Sequence, residues 1–132
     1  MSNIQTDYVL VLKEDCPTCA LVEPVVAEIA NAGHSLRVWS QDNPKFPSTI
    51  TNVGDDRTLE QSYRLNIETV PTLIKYLNGS ELERTVGWDA NEWRRLTALD
   101  SLGDTLPAFR PGCGSMSVYP GMAEKLELKF NA

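Results

Sequence analysis

The sequence predicts an α/β fold: a mixed four-stranded sheet with flanking helices, followed by a C-terminal loop and β-hairpin extension. Three observations support this prediction. The length of 132 residues suits a single domain. Strand-like and helix-like segments alternate in the first half of the chain, and two strand-like segments flank an Asn-Gly turn in the second. The first half therefore predicts a parallel βαβ unit, and the second half predicts an antiparallel hairpin.

The first half of the chain has the pattern strand, helix, strand. The segment Tyr8–Lys13 (YVLVLK) is β-branched, apolar and short, as buried strands are. A helix is predicted from Pro17 to Ala32, because proline suits a first turn, where its missing N–H would have no partner. Pro24 lies inside this segment and predicts a kink. The alternating segment Leu36–Ser40 (LRVWS) predicts the second strand.

The second half adds a long connection, a short helix, a hairpin and a last helix. Thr58 with Gln61 three residues later has the pattern of a capping box, which marks a helix start. Asn78-Gly79 suits a two-residue hairpin turn, because both positions need positive φ. The predicted elements are a connection at Gln41–Asp56, a helix at Thr58–Leu65, strands at Thr72–Leu77 and Glu81–Val86, and a helix at Asp89–Leu99.

The last part of the chain differs in composition from the rest. Residues 1–100 hold 15 acidic and nine basic side chains, whereas residues 101–132 hold three of each. The stretch up to residue 114 is also rich in Gly and Pro. We therefore expect a domain at 1–100 and a C-terminal extension at 101–132, packed on that domain because it is too short to bury a core of its own.

The extension ends in a predicted β-hairpin. Leu126, Leu128 and Phe130 alternate with charged residues, which is the period-two pattern of a strand with one apolar face. The segment Ser115–Tyr119 would pair with this strand across the turn formed by Pro120-Gly121. We expect the apolar face of the hairpin to hold the extension against the domain.

Composition and charge exclude several classes of protein. The net charge is −6 at pH 7 and no Lys- or Arg-rich run occurs, so we expect no binding to nucleic acid and none to an anionic membrane. No apolar run approaches the roughly 20 residues of a membrane span. The first residues lack the pattern of a secretory signal. We therefore expect a monomer in the cytoplasm.

A cysteine pair, Cys16-Pro17-Thr18-Cys19, lies where the first strand gives way to the first helix. A helix N-terminus carries partial positive charge and free N–H groups, and both stabilise a thiolate. Cys16 would lie at the exposed N-cap and attack a disulfide, whereas Cys19, one turn inside, would resolve the mixed disulfide. The chain has three cysteines and one histidine but no second such pair. We therefore predict no metal site and no cofactor.

A second motif, Thr69-Val70-Pro71, opens the first strand of the hairpin. A proline at this position next to a redox site favours a cis Val70–Pro71 bond. Because proline donates no hydrogen bond, the backbone N–H and C=O of Val70 stay free to pair with an extended substrate. We assign substrate binding to Thr69 and Val70, together with Pro17 and Thr18 between the cysteines.

These motifs together resemble the thioredoxin superfamily over about residues 4–99. The resemblance implies a thiol–disulfide oxidoreductase with a thioredoxin-like fold, in which Cys16 and Cys19 form a reversible disulfide and the cis-proline Pro71 faces it. The substrate would be a protein or small-molecule disulfide, and the sequence does not identify the electron donor. The matching segments are YVLVLKEDCPTC, the proline five residues after the second cysteine, ETVPTLIKYLNGSELERTVGW, and the closing helix.

Three residues depart from the thioredoxin pattern. Asp15 stands where thioredoxins have tryptophan, and Leu10 stands where they have a buried aspartate that relays a proton to the resolving cysteine. Lys13, like the Cys-Pro-x-Cys motif itself, resembles glutaredoxins, in which this lysine contacts a glutathione carboxylate. Three alternatives to a thioredoxin-like reaction therefore stay open: glutathione-linked activity, a redox-controlled binding module, and metal or iron–sulfur binding through the cysteines.

The third cysteine, Cys113, lies in the extension within Arg110–Ser115 (RPGCGS). Glycines on both sides of Cys113 expose it and allow another backbone to approach closely. It is therefore a candidate third redox thiol, and the competing interpretation is a loop cysteine with no redox role.

Overall fold

A computed structural model describes residues 4–131. In that part of the chain it has nine strands and five α-helices. The strands are β1 (Thr6–Leu12), β2 (Ser35–Ser40), β3 (Val53–Asp55), β4 (Thr69–Val70), β5 (Thr72–Leu77), β6 (Ser80–Val86), β7 (Trp88–Asp89), β8 (Phe109–Arg110) and β9 (Cys113–Gly114). The helices are α1 (Pro17–Leu21), α2 (Glu23–Asn31), α3 (Glu60–Arg64), α4 (Ala90–Thr97) and α5 (Met122–Phe130). None of these helices has the length and apolar character needed to cross a membrane.

The central sheet is mixed, as predicted, but it has five strands in the order β3-β2-β1-β5-β6 rather than four. β1 pairs in parallel with β2 and antiparallel with β5, so the βαβ unit and the hairpin share one sheet. The added edge strand, β3, lies inside the connection Gln41–Asp56. Its central residue, Gly54, faces Trp39 so closely that an added Cβ would lie 2.4 Å from ring atom Cε3. A three-residue strand centred on glycine has no apolar alternation, which is why the sequence pattern does not reveal it.

Strand β1 and the helices around it bury their apolar side chains in one core. The hydroxyl of Tyr8 donates to the carbonyl oxygen of Leu96 at 2.7 Å, which ties β1 to α4. The rings of Trp88 and Trp93 meet edge to face at 5.2 Å. Each buried aliphatic side chain contributes about 1.5–3 kcal/mol, so this core accounts for most of the apolar stabilisation. The fully buried residues of β1 and α2 are Leu10, Val11, Leu12, Val25, Val26 and Ile29.

Two helix boundaries depend on single residues. The helix predicted from Pro17 to Ala32 is divided at Val22 into α1 and α2, and Pro24 lies in the first turn of α2. The predicted interruption therefore occurs, at a single residue just before the proline. At α3 the carboxylate of Asp56 accepts two backbone N–H groups of the first turn, at 2.8 and 3.0 Å. The capping box predicted at Thr58 is therefore wrong: the N-cap position is Leu59, and the side chain of Asp56 supplies the acceptors for the first turn.

The predicted hairpin of the extension is wrong, because its second strand is helix α5. The sequence MAEKLELKF is rich in strong helix formers, and Leu126 and Phe130, four residues apart, share one helix face. Leu126 is 4% exposed whereas Leu128 is 76% exposed, which a strand with both residues on one face would not give. The predicted partner strand, Ser115–Tyr119, instead contains the 3-10 turn Met116–Val118.

Two short strands of the extension, β8 and β9, pair with strands of the preceding domain. β8 pairs antiparallel with β7, and β9 pairs antiparallel with β4, so that Cys113 lies opposite Val70. The indole N–H of Trp88 donates to the carbonyl oxygen of Pro107 at 2.7 Å. These contacts bring the extension to the part of the molecule that holds the cysteine pair.

Candidate functional site

Helix α1 begins at Cys16, whose extended backbone makes it the N-cap residue. Its Sγ atom accepts the backbone N–H of Cys19 at 3.1 Å and lies 3.7 Å from the carbonyl oxygen of Val70. Pro17 occupies the first turn, where no donor is needed. The Val70–Pro71 peptide bond is cis. The structure therefore brings the cysteine pair and the Val70-Pro71 step together.

The two cysteines of α1 differ in acidity. A hydrogen bond from the Cys19 thiol, helped by the Cys113 thiol and by the backbone N–H groups of Cys19 and Thr18, outweighs burial and lowers the pKa of Cys16 to about 6. Burial, followed by the hydrogen bond to Cys16, raises the pKa of Cys19. The two opposite shifts favour the thiolate at Cys16 and the thiol at Cys19.

The loop that leads into Cys16 is fixed by a carboxylate that the sequence pattern does not single out. Asp42 accepts the backbone N–H groups of Glu14 and Asp15 at 2.7 and 3.0 Å. These two bonds hold the loop in place just before the N-cap. The side chains of Glu14 and Asp15 are themselves exposed.

Cys16 is buried, not exposed as predicted. Only 2% of its surface is accessible, because the extension lies over the N-terminus of α1. We call residues 110–115 of the extension the docked segment. The Cys113 thiol of this segment lies close enough to Cys16 to help lower the Cys16 pKa, and Cys113 itself is half-buried. The predicted third thiol therefore lies beside the predicted nucleophile.

The residues assigned to substrate binding contact the docked segment. Thr69 and Val70 pair with Gly114 and Cys113 in the β4–β9 ladder. The hydroxyl of Thr18, which is buried, donates to a carbonyl oxygen of the docked segment at 2.6 Å. Pro17, also assigned to this role, is exposed. Three of the four assigned residues thus line a groove that this chain's own backbone fills.

Lys13 is buried beside the site and binds the extension. Its Nζ atom donates to the carbonyl oxygen of Gly114 at 2.9 Å and also to the hydroxyl of Tyr119. Burial alone would lower the pKa of Lys13, but the hydrogen bond to Tyr119 and the nearby cysteines outweigh burial and raise that pKa. With the docked segment in place, this charged group is not accessible to a glutathione carboxylate, so the geometry gives the glutaredoxin-like alternative no support.

A buried polar network, which the sequence does not reveal, anchors the docked segment to the core. The side-chain N–H₂ group of Gln41 donates to Ser62 Oγ at 2.8 Å and to Ser115 Oγ at 2.7 Å. Its carbonyl oxygen accepts the backbone N–H of Met116 at 3.0 Å. Ser117 Oγ completes the chain by donating to the carbonyl oxygen of Ile67 at 2.7 Å. All of the side chains in this network are buried, so each hydrogen bond replaces one that water would supply.

The metal-binding alternative finds no arranged set of ligands. Within residues 4–131, no group of three or more His, Cys, Asp or Glu side chains has an arrangement that could hold a metal ion. The three cysteines are instead free thiols, and the backbone N–H of Cys19 donates to Cys16 Sγ. Such contacts are suited to thiol–disulfide exchange, in which one sulfur attacks another.

Comparisons with known proteins identify the fold but no close relative. No family model and no curated protein matches the sequence. Among solved structures, StoA from Bacillus subtilis is similar with a TM-score of 0.56 and 16% identity, over 70% of this chain and 82% of that chain. The thioredoxin of Fasciola hepatica has a TM-score of 0.54 and 15% identity, over 71% and 79%. Oxidized thioredoxin O2 of Arabidopsis thaliana has a TM-score of 0.52 and 21% identity, over 71% and 73%.

These similarities agree with the architecture described above, a central mixed sheet with flanking helices. At identities of 13–21% they inform on the fold and not on the reaction. The thioredoxin-like fold that the sequence predicts is confirmed: the protein has the thioredoxin fold.

Proposed function

We propose that the protein is a thiol–disulfide oxidoreductase that works through a reversible Cys16–Cys19 disulfide. The observation that carries this proposal is the N-cap geometry, in which Cys16 Sγ accepts the Cys19 N–H at 3.1 Å and the pKa of Cys16 is lowered to about 6. At pH 7 a thiol with that pKa is about 90% ionised, whereas an unperturbed cysteine is almost entirely protonated.

The reaction divides into two exchanges. The Cys16 thiolate attacks one sulfur of a substrate disulfide, forms a mixed disulfide, and releases the other sulfur as a thiolate that takes a proton from solvent. Cys19 then loses its proton and attacks Cys16 Sγ, which releases the second substrate thiol and leaves the Cys16–Cys19 disulfide. The substrate gains two electrons and two protons, and the protein loses them. An external dithiol returns the protein to its reduced state.

The acidity of the two cysteines suits this order of events. The Cys16 thiolate is one cause of the raised pKa of Cys19, through its hydrogen bond and its charge. Formation of the mixed disulfide removes that charge, so Cys19 becomes easier to ionise when its attack is needed. We propose a protein or small-molecule disulfide as the substrate, and a reducing compartment such as the cytoplasm as the location, because the pair must be returned to thiols after each turnover.

An insulin-reduction assay with dithiothreitol as the electron donor tests the proposal. We expect Cys16→Ser to lower the rate by about 10³-fold or more, because it removes the nucleophile. Cys19→Ser should form a mixed disulfide with the substrate but fail to turn over as a dithiol enzyme. Asp15→Asn, at the exposed residue next to Cys16, is the matched control and should stay within about twofold of the parent. Full activity in a folded Cys16→Ser protein would exclude this function.

A further inference from the structure

We propose that Cys113 is a third catalytic thiol. It resolves a mixed disulfide on Cys16 by forming a Cys16–Cys113 disulfide, and the docked segment then lies in the groove as an internal substrate. This inference rests on the proposed function, because it needs Cys16 to be the nucleophile. It assigns the extension a part in the reaction and gives Cys16 two resolving partners.

Backbone pairing brings Cys113 to Cys16. In the β4–β9 ladder Cys113 lies opposite Val70, and the carbonyl oxygen of Val70 is 3.7 Å from Cys16 Sγ. This pairing places the Cys113 thiol in the neighbourhood of the Cys16 sulfur, and the two thiols influence each other's pKa. Disulfide formation between them therefore needs a local movement of the docked segment and no rearrangement of the fold.

The docked segment lies in the groove as an extended peptide would. Its backbone is antiparallel to β4, and the ladder continues where the N–H of Ser115 donates to the carbonyl oxygen of Glu68 at 3.0 Å. Side chains bind its carbonyl groups: Thr18 bonds Pro111 at 2.6 Å, and Lys13 bonds Gly114 at 2.9 Å. These bonds use only its main chain, which is how a groove recognises an added strand.

Glycine is required on one side of Cys113. An added Cβ on Gly112 would lie 2.5 Å from Thr69 Cγ2 and 2.5 Å from the carbonyl oxygen of Val70. Gly114, on the other side, has open space around its missing side chain. The close approach therefore occurs on the side facing the Val70 carbonyl, which is the group that flanks the Cys16 sulfur.

Cys113 is more accessible than Cys19 at the surface where a substrate would be bound to Cys16. Cys19 is fully buried, whereas Cys113 is half-buried. Burial, the hydrogen bond to Cys16 and the charge of Cys16 raise the pKa of Cys113, while the N–H of Thr18 and the charge of Lys13 lower it. When Cys16 is part of a mixed disulfide its charge no longer raises the pKa of Cys113; burial still raises this pKa, and Thr18 and Lys13 still lower it.

Resolution by Cys113 is a thiol–disulfide exchange at Cys16 Sγ. After Cys16 has formed a mixed disulfide with the substrate, the Cys113 thiol gives up its proton and its thiolate attacks Cys16 Sγ. The Cys16–substrate bond breaks, the substrate leaves as a thiolate and takes a proton, and the Cys16–Cys113 disulfide remains. Cys19 can then attack Cys16, which produces the Cys16–Cys19 disulfide and frees Cys113 as a thiol. This last step moves no electrons to or from the protein.

Glutathione disulfide, used as a small probe, tests the proposal with Cys19→Ser and with the double variant Cys19→Ser/Cys113→Ser. In Cys19→Ser we expect loss of two hydrogens, release of two glutathione thiols per protein, and a Cys16–Cys113 peptide after digestion. The disulfide should exceed the glutathione adduct by at least about tenfold, since the β4–β9 ladder already holds Cys113 beside Cys16. The double variant should keep one glutathione on Cys16 and release one thiol. Cys19→Ala repeats the measurement if serine at this buried position disturbs folding.

The possible results separate the two proposals. A lasting Cys16–glutathione adduct in Cys19→Ser, with Cys113 free, would overturn the role of Cys113 and leave the Cys16–Cys19 reaction intact. Absence of any adduct on Cys16 in the folded double variant would overturn the proposed function itself. In the parent protein, acid quenching at early times should capture the Cys16–Cys113 disulfide before the Cys16–Cys19 disulfide accumulates.

Discussion

Helix α1 and the docked segment each present a thiol to Cys16, but they are held in different ways. Cys19 is fully buried on a helix that packs into the main core, so its position depends on the whole fold. Cys113 is half-buried and is held by a two-residue ladder and by hydrogen bonds to main-chain groups. The position of Cys19 is therefore fixed by the main core, whereas the position of Cys113 depends on the contacts of one docked segment.

The largest expected effect is a loss of stability when the buried network around Gln41, which anchors the docked segment, is broken. Replacing Gln41 by leucine removes its bonds to Ser62, Ser115 and the N–H of Met116, and it leaves that half-buried N–H without a partner. We expect the free energy of unfolding, measured in urea, to fall by about 1–3 kcal/mol. Gln5→Leu, at an exposed position, is the control and should change it by less than about 0.5 kcal/mol. An equally small change for Gln41→Leu would mean that the segment is held by other contacts.

Two glycine substitutions test whether the docked segment controls access to Cys16. Gly112→Ala places a Cβ 2.5 Å from the Val70 carbonyl oxygen and should push the docked segment out of the groove. We therefore expect iodoacetamide to modify Cys16 at least about tenfold faster than in the parent, because the thiolate is uncovered. Gly114→Ala meets no atom within 4 Å and should leave the rate nearly unchanged. Equal rates in both variants would show that the segment does not control access.

The smallest expected effect concerns acidity. The ultraviolet absorbance of the Cys16 thiolate should titrate with a midpoint near pH 6 in the parent, so the thiolate is lost as the pH falls through that value and is present at neutral pH. Cys113→Ala removes one hydrogen bond to the thiolate and should raise the midpoint by less than about one unit. Cys19→Ala removes the larger contribution and should raise the midpoint further. The reverse order would make the docked segment, not α1, the main stabiliser of the thiolate.

Features with local causes were predictable from the sequence. The strand Thr72–Leu77 and the turn at Asn78-Gly79 occur where expected, because alternation and positive φ are properties of neighbouring residues. The cysteine pair at the start of α1 was predictable for the same reason, since proline and a helix N-terminus act within one turn. The geometry that defines the candidate nucleophile was therefore accessible without a structure.

Features with distant causes were not predictable. Cys16 is buried by residues that lie more than 90 positions further along the chain, and no pattern near Cys16 encodes that contact. The glycines around Cys113 indicated a close approach but not its partner. In α5, Leu126 and Leu128 fit the period of a strand, and only helix propensity and the burial of one residue distinguish the two structures.

The pairing of Cys113 with Val70 also affects how tightly an outside peptide can bind. A peptide that needs the same backbone groups competes with a segment that is covalently attached and always present. Its apparent Kd is its intrinsic Kd divided by the fraction of molecules with an empty groove, so a segment docked in 99 of 100 molecules would weaken binding by about 100-fold. Under the proposed function, this tethered competitor would exclude weak and unselective peptides. The disulfides expected to react are those whose surroundings bind the groove well enough to displace the docked segment.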